Sequence, residues 1–350
     1  MKKRVLVALS GGVDSAVAAA LLLEKGYEVA GATMRLDPNS PDDATRDARE
    51  VAEKLGIPFY EFDLRDRFVQ EVVEPFCDRY LEGQTPNPCV LCNRTVKFGA
   101  FWEKAKALGF ESMATGHYAR VTQDETGFHL LRADSAKDQT YVLYSLTQAV
   151  LSHLLLPLGE LPDKDTVRRI AAERGLAAAD RPDSQEICFI PDQDYARFIL
   201  ERRQADIPEG DFVDPQGRVL GRHKGLIHYT IGQRKGLGIA LGERRFVVAL
   251  DAANNRVVLG DDRDCFAGAL EAGKLNFLAG ETPACPCRLT AKVRYSAKDQ
   301  PITLTVRGDK ALIVFDTPER AVTPGQAVVF YRGDELIGGG TILRKTEEII

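Results

Sequence analysis

Two groups of residues in this chain are of types that do chemistry: a short serine and glycine loop at 10–15, and cysteines set in tight local contexts. Ser10-Gly11-Gly12-Val13-Asp14-Ser15 follows the apolar run Val5-Leu6-Val7-Ala8-Leu9 and precedes an alanine- and leucine-rich stretch, about Ala16 to Lys25, that Gly26 ends. An unbroken apolar run reads as a strand buried on both faces of a parallel sheet. A strand that turns through serine and two glycines into a helix start presents several backbone N–H groups, backed by the helix dipole, with no side chain blocking close approach. Residues 8–15 are therefore a phosphate cradle. They lack the spacing and the Lys-Ser or Lys-Thr of the usual phosphate loop, and they lack the glycine fingerprint of dinucleotide folds.

The thiols come next. Thr85-Pro86-Asn87-Pro88-Cys89-Val90-Leu91-Cys92-Asn93-Arg94 leads into a helical pattern with Phe98, Phe101, Trp102, Ala105 and Leu108 on its buried side. Two prolines stiffen the approach, and a thiol at a helix N-terminus near Arg94 and Lys97 has its thiolate favoured by dipole and cations. Cys92 fits that description best. Cys188, in the apolar stretch Ile187–Ile190, reads by itself as a buried structural cysteine. Cys285-Pro286-Cys287 has the form of a metal half-site, with no second pair nearby in sequence. His117, after the short strand Ser112–Thr115, either hydrogen-bonds a substrate or satisfies a sheet-edge carbonyl. Lys137-Asp138-Gln139 reads by itself as a helix cap.

The elements that position these residues start as strands at Glu28–Met34 and Ile57–Asp63, a helix capped by Ser40-Pro41-Asp42-Asp43 and running to about Leu55, and a helix over 65–82 bent or interrupted at Pro75. That alternation predicts a doubly wound α/β sheet, with ligands at the carboxyl ends of its strands. A hairpin (Ala119–Thr122 and Phe128–Arg132), an amphipathic helix carrying Tyr141, Val142, Tyr144 and Leu146, and a helix over Asp163–Arg174 follow. From Pro208 the pattern becomes short β runs: Phe246–Leu250, Arg256–Leu259, Arg288–Val293, Ile302–Val306, Ala311–Phe315 and Gln326–Tyr331. The expected architecture is a parallel α/β sheet over 1–205, a small β-rich linking domain over 206–267 and a C-terminal β-barrel over 268–350.

At 350 residues, with 44% hydrophobic and 28% charged residues, the chain has the composition of a soluble multidomain protein. It starts without an apolar leader and holds no membrane-length apolar segment, so a cytoplasmic location is expected. Its seven cysteines are then reactive or metal-binding rather than a disulfide framework. The net charge of −5 speaks against nucleic acid, yet residues 210–246 carry seven Lys/Arg against three acids. Such a face can hold phosphates, or be ordinary solvated surface.

Ser-Gly-Gly-Val-Asp-Ser resembles the pyrophosphate loop of the adenine-nucleotide alpha-hydrolase superfamily, whose members bind ATP, pass AMP to a substrate oxygen and release pyrophosphate. Further motifs stand in order along the chain: Thr-Pro-Asn-Pro and Leu-Cys-Asn (85–93), Ala-Thr-Gly-His-Tyr (114–118), Lys-Asp-Gln (137–139), Ile-Cys-Phe-Ile (187–190), Gly-Gln-Arg-Lys-Gly-Leu-Gly (232–238) and Thr-Pro-Gly-Gln (323–326). Together they resemble the tRNA-specific 2-thiouridylases, the MnmA/TrmU family.

The resemblance implies ATP-dependent 2-thiolation of the wobble uridine. AMP is placed on the uracil 2-oxygen, and sulfur then displaces it. It implies a persulfide on Cys188, delivered by a sulfur-relay protein or cysteine desulfurase, and a Cys92–Cys188 disulfide on release of the terminal sulfur. Ala8, Leu9, Ser10, Gly11, Gly12, Val13, Asp14 and Ser15 would hold ATP, with Asp14 organising Mg²⁺ and Met34 and Gly116 on the adenine side. Asn87, Pro88, Cys89 and His117 would meet the target base, and Lys137, Asp138, Gln139, Arg234, Lys235, Arg294, Tyr295 and Gln326 the anticodon arm of the tRNA. Many members of the family have aspartate where this chain has Cys89. Cys89, Cys92 and Cys188 suit a [4Fe–4S] cluster with one open iron, or, less well, zinc with His117. Two alternatives are a different pyrophosphate-loop ligase or sulfurtransferase, and an RNA-binding protein with a relic nucleotide site. RNA-stimulated pyrophosphate release separates the second from an enzyme.

Overall fold

Val5, Leu6 and Val7 are wholly buried, but in two different cores. Leu6 packs with Ala30, Ala32, Phe62 and Phe101, whereas Val5 and Val7 pack with Val17, Leu22 and Val167. Alternation between two covered faces is what a parallel sheet between helical layers requires. The structure is a computed structural model that describes residues 2–37, 45–176, 187–204 and 207–346; the expected helix cap at 40–43 lies outside them. The strands β1 (Arg4–Ala8), β2 (Glu28–Arg35), β3 (Phe59–Asp63), β4 (Ser112–Ala114) and β7 (Leu154–Leu155) form one parallel sheet in the order β3-β2-β1-β4-β7. The order reverses at β1, so the crevice outside the carboxyl ends of β1 and β4 is a switch point where ligands bind.

The helices α1 (Val13–Glu24), α2 (Arg46–Leu55), α3 (Arg65–Phe68), α4 (Glu74–Leu81), α5 (Pro88–Leu91), α6 (Phe101–Ala107), α7 (Gln148–Leu151), α8 (Lys164–Glu173) and α9 (Tyr195–Arg203) flank this sheet or connect it to the rest of the chain. The irregularity expected at Pro75 lies before it: α3 passes through a π-helical turn, Val69–Val73, into α4, and the widened turn just ahead of Pro75 accommodates a residue with no N–H to donate. The expected amphipathic helix after Gln139 does not form. Thr140–Leu143 is a single 3₁₀ turn, because Tyr141, Leu143, Tyr144 and Leu146 are all buried and the Tyr141 hydroxyl donates to the Ala327 carbonyl at 2.9 Å. Contacts on every side override a one-faced helix.

The β8 (Gly210–Val213), β9 (Val219–His223), β10 (Phe246–Asp251) and β11 (Arg256–Gly260) strands form a small sheet around Phe212, Tyr229, Val247 and Leu259. After it, β12 (Phe266–Phe277), β13 (Cys287–Lys292), β14 (Gln300–Arg307), β15 (Lys310–Arg320), β16 (Ala327–Arg332) and β17 (Glu335–Thr346) close into a six-stranded barrel through the β12–β17 pairing. The hairpin β5 (Ala119–Asp124) and β6 (Gly127–Arg132) joins this sheet rather than the first one, through Leu131 opposite Glu335. There His129 meets Glu335 at 2.6 Å, Arg132 donates to Asp299 at 2.8 Å, and its guanidinium lies 3.9 Å from the Tyr331 ring centre. The barrel is thereby fixed to the nucleotide-type sheet.

Candidate active site

Gly12 caps α1 in an extended conformation (φ −84°, ψ 160°), and Gly11 has φ +76°, with room for no side chain: a Cβ there would lie 2.6 Å from the Asp47 Cβ. Leu9 and Val13 are buried and anchor the loop at both ends. Ser15 Oγ accepts from Ser10 N (3.2 Å) and donates to Gly12 O (3.0 Å), bracing the turn from inside. Met34 is half-buried near the carboxyl end of β2, and Gly116 follows β4, so both flank the loop that ends β1. A Cβ at Gly116 would come within 2.8 Å of the Asp14 backbone.

Asp14 has partners that local sequence does not reveal. Lys164 Nζ donates to both carboxylate oxygens (2.8 and 2.7 Å), and the Tyr118 hydroxyl donates to Oδ1 at 2.6 Å. The Lys164 side chain is only 10% exposed. The signal in the sequence is its place: Asp163 caps α8 through Thr166 N, and a lysine in the first turn opposes the helix dipole. Three of the roughly four acceptor positions of the carboxylate are taken. As placed, Asp14 faces the Lys164 ammonium rather than a site for a divalent ion.

Asn87 Oδ1 accepts from Cys89 N at 3.0 Å and starts α5, so Cys89, not Cys92, stands at the helix N-terminus. Cys92 lies a turn further on, 6% exposed, at the head of the π-helical stretch Cys92–Ala100. Burial pushes its thiol up to about 12, against the pull of Lys97, so the expected thiolate is not what the resting site holds. The Cys89 and Cys188 thiols are also raised by burial and lowered by Lys97, although both residues expose part of their surface. That exposure corrects the reading of Cys188 as a buried structural cysteine. The three thiols lie within one another's electrostatic reach. Yet among the described residues no group of three or more His, Cys, Asp or Glu could hold a metal ion, so as placed they do not fit an iron–sulfur cluster or zinc.

His117 Nδ1 lies 2.7 Å from Thr115 Oγ1, and its ring packs on Phe98. Burial and then Lys97 hold its pKa down to about 3, so it is neutral at physiological pH. Lys97 thus faces the thiols and His117 together, and His117 adjoins Gly116, which abuts Asp14. Arg94, the other expected cation, bears instead on Tyr144 and Lys274. Lys97→Met is expected to raise the thiol pKa values and move the rising limb of the pH–rate profile to higher pH. The thiolate fraction at pH 7.5, and with it the rate, falls by up to about tenfold for one unit. An unmoved limb would remove Lys97 from the thiol chemistry.

Asn87, Pro88, Gln326, Ile187 and Tyr195 line one cavity of about 560 Å³, which places the expected base-contacting loop beside the neighbour of Cys188. Gln326 Nε2 donates to Thr85 O at 2.7 Å and so ties the barrel to that loop. Asp138 accepts from the Thr140 hydroxyl and amide, and Gln139 exchanges two bonds with Tyr118. Lys137 beside them is exposed. Tyr295, 46% exposed, donates to Asp138 O at 3.1 Å, and Arg294 donates to Arg320 O at 2.9 Å. Arg234 and Lys235 are exposed; Arg234, with Arg244 and Arg245, edges a groove of about 600 Å³. Of the seven basic residues over 210–246, Arg218, Arg222 and Arg245 are committed to Asp214, Asp211 and the Glu243–Asp261 pair.

A glycine-braced loop at the switch point of a parallel sheet, followed by a small β domain and a closed barrel, defines a HUP-type nucleotide-binding protein with two appended β domains. Family models described as tRNA methyl transferase HUP domain, tRNA methyl transferase PRC-barrel domain and aminomethyltransferase beta-barrel domain match residues 3–192, 196–261 and 267–342. The tRNA-specific 2-thiouridylase MnmA of Acetivibrio thermocellus is 50% identical over 97% of this chain and 99% of its own length. That of Carboxydothermus hydrogenoformans is 52% identical over 98% of each, and that of Clostridioides difficile is 49% identical over 98% of each. The chain belongs to the tRNA-specific 2-thiouridylase family. Among the described residues no helix is long and apolar enough to cross a membrane.

Proposed function

We propose that this protein is an ATP-dependent tRNA-uridine 2-sulfurtransferase in which the 10–15 loop and Lys164 take the triphosphate while Cys188 and Cys92 handle sulfur. The observation that carries this reading is the continuity of the site: Lys97 bears on all three thiols and on His117, and His117 adjoins the glycine packed against Asp14. A uracil oxygen is a poor leaving group. Its attack on the α-phosphorus of ATP forms an O–P bond, breaks the bond to the β-phosphate, and sends pyrophosphate toward the helix N-terminus and Lys164. The terminal sulfur of a persulfide on Cys188 then attacks C2, and the C–O bond breaks with AMP leaving. Cys92 attacks the Cys188 sulfur, the S–S electron pair stays with the sulfur on the base, and the resulting disulfide needs an external thiol to reset it.

The exposure of Cys188 suits delivery of sulfur by a relay protein or a cysteine desulfurase. The neutral His117 and the Asn87–Pro88 loop border the space for an unstacked base, which chemistry at its 2-position requires. The test is tRNA-stimulated release of pyrophosphate and AMP by the purified protein, with the mass of the digested nucleoside showing sulfur in place of oxygen rather than an added methyl group. Cys89→Ser is expected to retain most of this activity, since Cys89 has no part in the two-thiol route. A loss as deep as that of Cys92→Ser would restore a three-thiol centre.

Lys137, Arg234, Lys235, Arg294 and Tyr295 would hold the anticodon arm by phosphate contact and stacking. Replacing Arg234 and Lys235 by alanine should weaken tRNA binding and reduce its log–log salt slope by about one unit for each phosphate the protein no longer neutralises. An unchanged slope in a filter-binding series would place the RNA face elsewhere.

A further inference from the structure

The proposed chemistry uses neither Cys285 nor Cys287, yet their sulfurs lie 3.9 Å apart at the start of β13. Both residues are half-buried and pack against the core of the barrel, so the pair is held by the fold rather than by a loose tail. We propose that Cys285 and Cys287 form a two-thiolate site for a soft monovalent d¹⁰ ion, copper(I), completed by one thiol from solution. An ion bonded to both sulfurs at about 2.3 Å, the length of a zinc–thiolate bond, would see them at an angle of about 116°. That is close to trigonal and far from linear. A tetrahedral zinc site needs two more protein ligands, and among the described residues no group of three or more His, Cys, Asp or Glu could hold a metal ion. Three-coordinate copper(I) needs one sulfur more, and thiolate donors favour it over harder ions. Binding replaces two thiol protons by one metal ion with no change of oxidation state. The half-exposure of both residues leaves room for a small thiol to approach.

The experiment uses the full-length, fully reduced protein under anaerobic conditions, with copper(I) supplied from a chromophoric copper(I) chelator and a small thiol present. Wild-type protein should retain one copper(I) more than C285S/C287S, and each single variant should lose that same equivalent. All three variants should keep tRNA thiolation, since neither residue belongs to the catalytic set. Because free thiols elsewhere in the chain compete for copper(I) from solution, alkylation mapping by mass spectrometry on wild-type protein provides the second readout: Cys285 and Cys287 should become protected together as the extra equivalent is bound. Equal copper stoichiometry in wild type and C285S/C287S, or protection of only one of the two, overturns the site. So does retention of zinc(II) at the pair in preference to copper(I).

Discussion

Alanine in place of Asp14 is expected to abolish 2-thiolation and leave tRNA affinity nearly intact, because in the proposed function the loop at 10–15 serves ATP while the RNA contacts lie on other elements. Asp14 accepts two hydrogen bonds from Lys164 and one from Tyr118. Removing it takes the carboxylate from an ammonium that is nine-tenths buried and withdraws the group that aims it. Lys164→Ala is the complementary variant. It keeps the loop backbone but removes the cation that the proposed function sets against the leaving pyrophosphate, and pyrophosphate release is expected to fall about 10²–10³-fold, as for the loss of one preorganised electrostatic donor. Filter binding with labelled tRNA, run beside the pyrophosphate assay, separates the two functions. Wild-type adenylation by the Asp14 variant would show that the loop has been wrongly assigned.

The second large effect divides the reaction at its midpoint. Cys188→Ser cannot carry a persulfide, and Cys92→Ser cannot resolve one, so both should lose multiple-turnover thiolation entirely. Neither touches the phosphate loop, so both should still release pyrophosphate in a tRNA-dependent burst. They differ in one respect: after incubation with a sulfur donor, Cys92→Ser should accumulate a persulfide on Cys188, detectable as an added sulfur on the peptide containing residues 187–190, and Cys188→Ser should not. A persulfide found on Cys92 instead would reverse the two roles.

Much of this was legible in the sequence where the signal is local. The loop at 10–15 announces itself through Gly11 and Gly12, and the parallel sheet through the buried run around Leu6. The pairing of Cys92 with Cys188 could be carried only by family resemblance, since nearly a hundred residues separate them. Lys164 meets Asp14 across 150 positions, and only its unfavourable place at the start of α8 marks it. The Cys92 thiolate failed as an expectation because burial outweighs a nearby cation, and burial is a property of the whole core. Tyr141, Val142, Tyr144 and Leu146 read as an amphipathic helix, yet the Tyr141 hydroxyl bonds to the barrel at Ala327 and Leu143, off that face, is buried as well. The hairpin at 119–132 was legible as a hairpin, but its attachment to β17 rests on a single register pair far away in the chain.

The central claim is that the uracil oxygen itself becomes the leaving group on AMP. Transfer RNA carrying ¹⁸O at the 2-position of the wobble uridine, incubated with the protein, ATP and a sulfur donor, tests it in one reaction. Adenylation followed by displacement puts the label in the phosphate of AMP, one atom for each 2-thiouridine formed. Label released to water, with AMP unlabelled, would contradict the account and leave the pyrophosphate loop without its assigned chemistry.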